Sequence, residues 1–132
     1  FEYGASEVAQ FEDIGLMAYS PLAFGLLSGK YLSNARPKGA RLTDYPVFSR
    51  FLNPQAIKAV EEFKHLAEKN GLSVTELSLA FVMSKPFVQT TIIGATKMSQ
   101  LKENIESAYI ELPEVLMAEI EDIFNKHPDA AV

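Results

Sequence analysis

Two short apolar runs in the chain have the composition of buried β-strands. The first, Leu16–Tyr19, lies between a glycine and a Ser-Pro pair. Such a run suits a buried strand, although periodicity alone does not separate it from a buried helix. The second, residues 88–93, is rich in β-branched residues and ends at Gly94. We therefore predict two strands, and the second has the clearer signal.

Apolar residues recur at helical spacing elsewhere, and capping residues mark where helices begin. Asn53-Pro54 begins a helix that Asn70-Gly71 ends, because Asn caps a helix, Pro suits its first position and Gly terminates it. Residues 73–76, Ser-Val-Thr-Glu, form a capping box that opens a helix ending near Pro86. Further helices are predicted at residues 6–11 with Ser6 as the cap, at 99–108, and from about residue 113.

The order of these elements predicts an α/β fold with parallel strands. A connection of about 30 irregular residues, 23–52, follows the first strand and is far longer than usual in α/β units. Two strands alone would leave sheet edges and faces uncovered. A (β/α)8 barrel needs about 250 residues, and the chain begins at Phe1 without a methionine. We therefore expect the N-terminal half of such a barrel to be missing.

Composition narrows the classes of partner. The 132 residues are 48% hydrophobic and carry a net charge of −5, with no run of Lys or Arg, which argues against a nucleic acid or an anionic membrane as partner. No apolar run approaches the roughly 20 residues that cross a bilayer. Cysteine is absent, so disulfides and thiolate ligands are excluded, and a cytoplasmic location is the expectation.

The segment that follows the first strand carries groups suited to a phosphate-bearing ligand. Tyr19 at the strand end can stack on a flat heterocycle, Gly25 and Gly29 allow close backbone approach, and Lys30 supplies positive charge. Ser20 and Ser28 add hydroxyl groups. Only three residues separate the two glycines, so this is not a P-loop. Taken alone, the residue types favour a loop that caps the core and leaves Lys30 solvated.

A second junction runs from the second strand through Gly94 into a helix N-terminus, which presents unpaired N–H groups to an anion. Gln100, Glu103 and Asn104 share one face of this helix, roughly 130° from the packing stripe. That stripe comprises Met98, Leu101, Ile105 and Ala108. The polar triplet could hold an adenosine, but taken alone it is more simply a solvated surface.

Other catalytic patterns are missing from the sequence. His65 and His127 are both expected on the surface, and neither has a metal-ligand spacing. There is no Gly-x-Ser-x-Gly elbow. Nothing in the chain forms a complete active site.

Together, the two junctions resemble the aldo-keto reductase family over nearly the whole chain. Residues 18–22 (Ala-Tyr-Ser-Pro-Leu) with 25–31 are similar to the family's seventh barrel strand and the loop after it. Residues 92–96 (Ile-Ile-Gly-Ala-Thr) with 100–104 are similar to its eighth strand and following helix. The capping-box helix between them is similar to the family's seventh barrel helix. The branch resembled is the bacterial one, which is also similar to potassium-channel beta subunits.

The resemblance implies that residues 1–132 are the C-terminal portion of one TIM barrel, comprising about its last two strands with their helices. It also implies reduction of small aldehydes or ketones by hydride transfer from NADP(H), without a metal. The family's catalytic Asp, Tyr, Lys and His belong to the part of the barrel that would precede Phe1. No residue here is therefore assigned a catalytic role, and the chain alone is expected to be inactive.

By position, the resemblance also assigns cofactor contacts. Many relatives have Arg or Lys in place of Gln100, which bears on the strength of NADP preference. The implied contacts are Tyr19 on the nicotinamide; Ser20, Leu22, Gly25, Lys30 and Arg41 along the pyrophosphate; Gly94, Thr96 and Gln100 at the 2′-phosphate; and Glu103 and Asn104 at the adenine. Pro21 is also implied to bind the cofactor.

Two alternatives remain open from the sequence. One is a regulatory or interaction subunit whose barrel binds NADPH with little turnover. The other is a stand-alone α/β domain with no cofactor. A half-barrel would expose apolar strand edges, so we also expect the isolated chain to self-associate.

Overall fold

The computed structural model describes residues 4–128 and 130, which form several helices and a two-stranded sheet. Short 3-10 helices at Ala23–Ser28, Leu32–Asn34, Pro46–Leu52 and Ser107–Tyr109 lie between the longer elements. The longer elements are α1 (Ala5–Phe11), β1 (Leu16–Tyr19), α2 (Arg41–Asp44), α3 (Pro54–Lys69), α4 (Val74–Ser84), β2 (Val88–Ile92), α5 (Met98–Glu106) and α6 (Glu114–Lys126). This order confirms the predicted one.

The two strands pair in parallel, as predicted. Tyr19 at the end of β1 lies opposite Ile92 at the end of β2, and the register shifts once near Leu16. Met17 and Tyr19 are exposed on β1. The sheet is thus covered on one side only by the described residues.

Side-chain caps begin the two central helices as the sequence predicts. Asn53 accepts a hydrogen bond from the amide of Ala56 at 2.9 Å. Ser73 accepts from the amide of Glu76 at 3.0 Å, and the Glu76 carboxylate accepts from the Ser73 amide at 2.7 Å. These bonds satisfy amides that have no acceptor within their own helix.

The prediction for α1 was wrong in its cap. Gly4, with φ of 99°, is the N-cap, whereas Ser6 is a buried residue inside the helix. The apolar residues Val8 and Phe11 are exposed by 64% and 88%. They are exposed because nothing among residues 4–128 and 130 covers that side of the helix.

The long connection is more ordered than its irregular sequence predicts. Its short helices enclose a hydrophobic core against the start of α3, because aromatic and aliphatic residues along the connection converge there. The buried members are Leu26, Tyr31, Ala40, Leu42, Phe51, Ala56 and Val60.

A second hydrophobic core joins α3, α4 and α6. Its buried members are Leu66, Ala67, Val74, Leu77, Leu116, Ile120 and Ile123. No helix among the described residues is long and apolar enough to cross a bilayer.

The two histidines differ in their surroundings. His65 is exposed, as predicted. The surface placement of His127 was wrong, because its side chain is only 9% exposed and lies 2.9 Å from the Glu62 carboxylate. The hydrogen bond from His127 is the main cause that lowers the pKa of Glu62 below its ordinary value. This contact ties the end of α6 to α3.

Candidate functional site

The two junctions singled out in the sequence lie at one edge of the sheet. Because β1 and β2 are parallel and Tyr19 lies opposite Ile92, the carboxyl ends of both strands lie at the same edge of the sheet. This is the edge at which α/β proteins bind ligands. The Tyr19 side chain is 71% exposed there, so its ring is accessible for stacking.

The turn after β1 has an unusual backbone. Ser20, Ala23, Phe24 and Gly25 all have positive φ, at 54°, 45°, 57° and 86°. Such a conformation costs about 1–2 kcal/mol for a residue with a β-carbon. Hydrogen bonds hold the turn: the Ala23 amide donates to the Ser20 carbonyl at 2.9 Å, and the Ser28 hydroxyl donates to the Gly25 carbonyl at 2.7 Å.

Pro21 and Leu22, the next two residues, have different contacts. The Leu22 carbonyl accepts from the amides of Gly25 and Leu27, at 2.8 and 3.2 Å. Pro21 lines a mostly apolar groove of about 620 Å³ formed with α4 and α6. The structure thus places Pro21 beside the helices, whereas the Leu22 backbone shapes the turn.

Phe24 anchors the strained turn through aromatic contacts. Its ring stacks on Phe48 at a centroid distance of 4.8 Å and packs against Phe51 at 4.9 Å. The guanidinium of Arg41 lies 5.5 Å from the centre of the same ring, a favourable cation–π geometry. Sequence reasoning missed this role of Phe24, and the only signal for it is the density of aromatic residues along the connection.

Lys30 and Arg41 form a pair of like charges beside this turn. A β-carbon on Gly25 would lie 2.7 Å from the Lys30 Nζ, so the glycine makes room for the ammonium group. Although Lys30 remains exposed, partial desolvation and, secondarily, the charge of Arg41 lower its pKa below the ordinary value. Within residues 4–128 and 130, neither cation forms an ion pair with a carboxylate. Two adjacent cations without a counter-charge favour binding of an anion.

Tyr31 links the residues next to these two cations. Its side chain is fully buried, and its hydroxyl accepts a hydrogen bond from the Leu42 amide at 3.1 Å. Leu42 lies in the first turn of α2, where amides lack an acceptor within the helix. The tyrosine therefore caps α2 and fixes the position of Arg41 relative to Lys30.

At the second junction, Gln100 closes the turn that enters α5. Its Oε1 lies 3.0 Å from the Thr96 amide and 3.1 Å from the Thr96 hydroxyl. Because the amide can only donate, the Gln100 oxygen is the acceptor and its Nε2 remains as a donor. Gly94 and Thr96 are both exposed.

The polar triplet on α5 is not a solvated surface, so that interpretation was wrong. Asn104 is 5% exposed and donates to the Gly94 carbonyl at 3.5 Å. Glu103 accepts from the Ser73 hydroxyl at 2.7 Å. These bonds turn the polar face of α5 toward α4 and the strand end.

The predicted packing stripe of α5 is correspondingly exposed. Met98 is 77% and Ile105 50% exposed, and Ala108 is exposed as well. Leu101, the fourth member of the stripe, is half-buried. The polar face of α5 is the one that bonds to the start of α4, through Glu103 and Ser73.

The start of α4 connects the two junctions. Ser73 bonds Glu103 on one side. On the other, the Val74 Cγ1 lies 3.6 Å from where a β-carbon on Gly29 would be. Across the described part of the chain, no hydrogen bond or ion pair directly joins residues 19–41 to residues 94–104. The described residues also hold no cluster of three His, Asp or Glu that could bind a metal ion.

Comparison with known families identifies this arrangement. The model of the Aldo/keto reductase family matches residues 2–125. This chain belongs to the aldo/keto reductase family. The region of this aldo/keto reductase that matches the family model includes both junctions and the α4 helix between them.

Relatives of this aldo/keto reductase chain include bacterial and plant proteins. Protein tas of Escherichia coli strain K12 is 49% identical over 123 residues, covering 93% of this chain and 36% of tas. A probable voltage-gated potassium channel subunit beta of Arabidopsis thaliana is 33% identical over 120 residues, covering 87% of this chain and 37% of that protein.

A solved structure shares the fold. The glycerol dehydrogenase from Gluconobacter oxydans aligns with a TM-score of 0.75 at 26% sequence identity. The alignment covers 96% of this chain and 39% of that protein. The chain thus spans well under half of the length of each of these relatives.

Proposed function

We propose that the full-length protein is a cytoplasmic, NADP(H)-dependent oxidoreductase that reduces aldehydes or ketones by hydride transfer. Residues 1–132 are then the C-terminal portion of its single TIM barrel and supply many of the residues that bind the cofactor. Family membership supports the oxidoreductase assignment. One structural relative is a glycerol dehydrogenase, which is consistent with carbonyl–alcohol chemistry.

The pair formed by Lys30 and Arg41 carries this proposal. The Lys30 ammonium lies beside Gly25, and the Arg41 guanidinium lies over the neighbouring Phe24 ring. Within residues 4–128 and 130, no carboxylate forms an ion pair with either cation. A dinucleotide pyrophosphate carries two negative charges and would supply the missing counter-charge. Tyr19 stands at the adjacent strand end, where a nicotinamide ring could stack on it.

The second junction is suited to the adenosine end of the cofactor. The α5 N-terminus favours an anion, and the Gln100 Nε2 can donate to a 2′-phosphate. A neutral amide binds phosphate less strongly than a charged guanidinium. We therefore expect NADP(H) to be preferred over NAD(H) by a smaller margin than an arginine at this position would give.

The exposed apolar surfaces fit a chain that lacks part of its barrel. Met17 on β1, Phe11 on α1 and Met98 on α5 are each more than half exposed. Such surfaces are normally covered. The isolated chain is expected to self-associate, and size-exclusion chromatography at increasing concentration measures this; a strictly monomeric chain would contradict the incomplete-barrel proposal.

Replacement of Lys30 tests the phosphate assignment. In the full-length protein, Lys30→Met should weaken NADPH binding by about 1.5–3 kcal/mol, the value of a hydrogen bond to a charged group, or about 10- to 150-fold in Kd. Nucleotide fluorescence titration measures this. Lys38→Met, an exposed lysine on the same connection, is the matched control and should leave Kd unchanged. An unaltered Kd for Lys30→Met would reject the assignment.

The catalytic proposal has its own test. Residues 1–132 alone should show no NADPH-dependent aldehyde reduction above background, and the sequence preceding Phe1 should supply an Asp, Tyr, Lys and His at barrel-strand ends. Turnover by the isolated chain would contradict the proposal that the catalytic residues lie outside residues 1–132.

A regulatory subunit is the second candidate, because the chain is 33% identical to a probable potassium-channel beta subunit. In that case the full-length protein would bind NADPH but turn over no carbonyl compound. Binding and turnover measured on the same preparation separate the two candidates.

A further inference from the structure

The hydrogen bond between Ser73 and Glu103 joins two helices at the adenosine end of the proposed site. We propose that Ser73 is a positioning residue: its hydroxyl holds one carboxylate oxygen of Glu103 so that the other accepts a hydrogen bond from the adenine amino group. This inference rests on the proposed function, since it presupposes a bound adenine nucleotide.

The bonding of Ser73 leaves one arrangement for its proton. The Glu76 amide can only donate, so it donates to the Ser73 oxygen at 3.0 Å. The hydroxyl proton is therefore available to Glu103, whose Oε1 lies 2.7 Å away, a distance typical of a charge-assisted bond. The N-cap of α4 thus also acts as a fixed donor to a carboxylate on α5.

Glu103 is held at its backbone as well. The fully buried Ser107 donates its hydroxyl to the Glu103 carbonyl at 2.8 Å. Among residues 4–128 and 130, no cation pairs with Glu103, and its Oε2 has no hydrogen-bond partner. An ionised carboxylate only accepts, so this free oxygen is suited to the exocyclic amino group of adenine.

Fixing the carboxylate in advance should strengthen binding. A Glu side chain without such a bond loses its rotational freedom when a ligand orders it, and that loss corresponds to about tenfold in affinity. Ser73 removes this cost before the nucleotide arrives. The effect is confined to the adenosine end, because the nicotinamide end is built from residues after β1.

The test uses the full-length protein with three probes. NADPH spans the whole site, 2′,5′-ADP occupies only the adenosine end, and reduced nicotinamide mononucleotide occupies only the other end. Ser73→Ala should weaken NADPH and 2′,5′-ADP by about tenfold and leave the mononucleotide unchanged. Ser73→Thr keeps the hydroxyl and should restore binding.

Two further variants separate positioning from a structural effect. Glu76→Ala removes the reciprocal half of the capping box but keeps the Ser73–Glu103 bond, so it should lower stability without changing affinity. In a Glu103→Ala background, Ser73→Ala should cause no additional loss, because the proposed effect passes through Glu103. If Ser73→Ala does not fold, Ser73→Asp retains a helix cap and repels Glu103, and it should show the same selective loss.

Each outcome decides one claim. Equal weakening of all three probes, no weakening of any, or full additivity with Glu103→Ala would overturn the role of Ser73. If the unsubstituted protein binds neither NADPH nor 2′,5′-ADP, the proposed function itself fails, and that result is distinguishable from a failure of the positioning role.

Discussion

The buried Tyr31 hydroxyl offers a sharp test of how the connection after β1 is stabilised. Tyr31→Phe removes only the oxygen that accepts from the Leu42 amide at 3.1 Å. Tyr31 is fully buried and Leu42 is 3% exposed, so water does not readily replace the lost acceptor. Leaving a buried amide unsatisfied costs about 1–3 kcal/mol, and we expect that loss in the free energy of unfolding.

Urea unfolding followed by circular dichroism measures the global effect in the full-length protein. Hydrogen exchange at Leu42 measures the local one, which should be faster by about 5- to 150-fold. Tyr45→Phe is the control, since Tyr45 lies on the same connection but is 58% exposed, and it should change stability by under about 0.5 kcal/mol. Equal effects of the two variants would refute the capping role of Tyr31.

Two further predictions concern α3. Asn53→Ala should cost about 1 kcal/mol because the Ala56 amide loses its cap, whereas the exposed Asn125→Ala should be neutral; equal urea midpoints for both would contradict this. The lowered pKa of Glu62 contributes stability that is present above the ordinary value of 4.5 and is lost as pH falls through the lower folded value. His127→Ala should therefore flatten the acid limb of a stability-versus-pH curve, and an unchanged limb would contradict the assigned cause.

Local signals were sufficient to predict most of the fold. The caps at Asn53 and Ser73 lie within three residues of the amides that they bind, so short-range chemistry determines them. The strands were predicted from apolar runs between turn residues, and their parallel pairing from the helices between them. The cap of α1 was missed because a glycine with positive φ replaced the expected side-chain cap.

Tertiary contacts account for the errors in the site. Taken alone, Glu103 and Asn104 were interpreted as solvated, because the sequence does not show that Glu103 bonds Ser73 and Asn104 bonds the Gly94 carbonyl. His127 at the end of α6 pairs with Glu62 on α3, and no local sequence pattern predicts this contact. Likewise, the stacking of Phe24 with its aromatic neighbours depends on how the connection folds back. Unlike the α1 cap, these features are contacts between segments that are separated in the sequence.

The central proposal is that the two junctions together bind a single dinucleotide. It rests on the parallel pairing of the strands and on the uncompensated cations Lys30 and Arg41. A crystal structure of the full-length protein with NADP+ tests it most directly. The pyrophosphate should lie within hydrogen-bond distance of the Lys30 Nζ, and the adenine should lie within hydrogen-bond distance of the Glu103 carboxylate. A nucleotide bound elsewhere, or one that contacts only one of the two junctions, would contradict the claim.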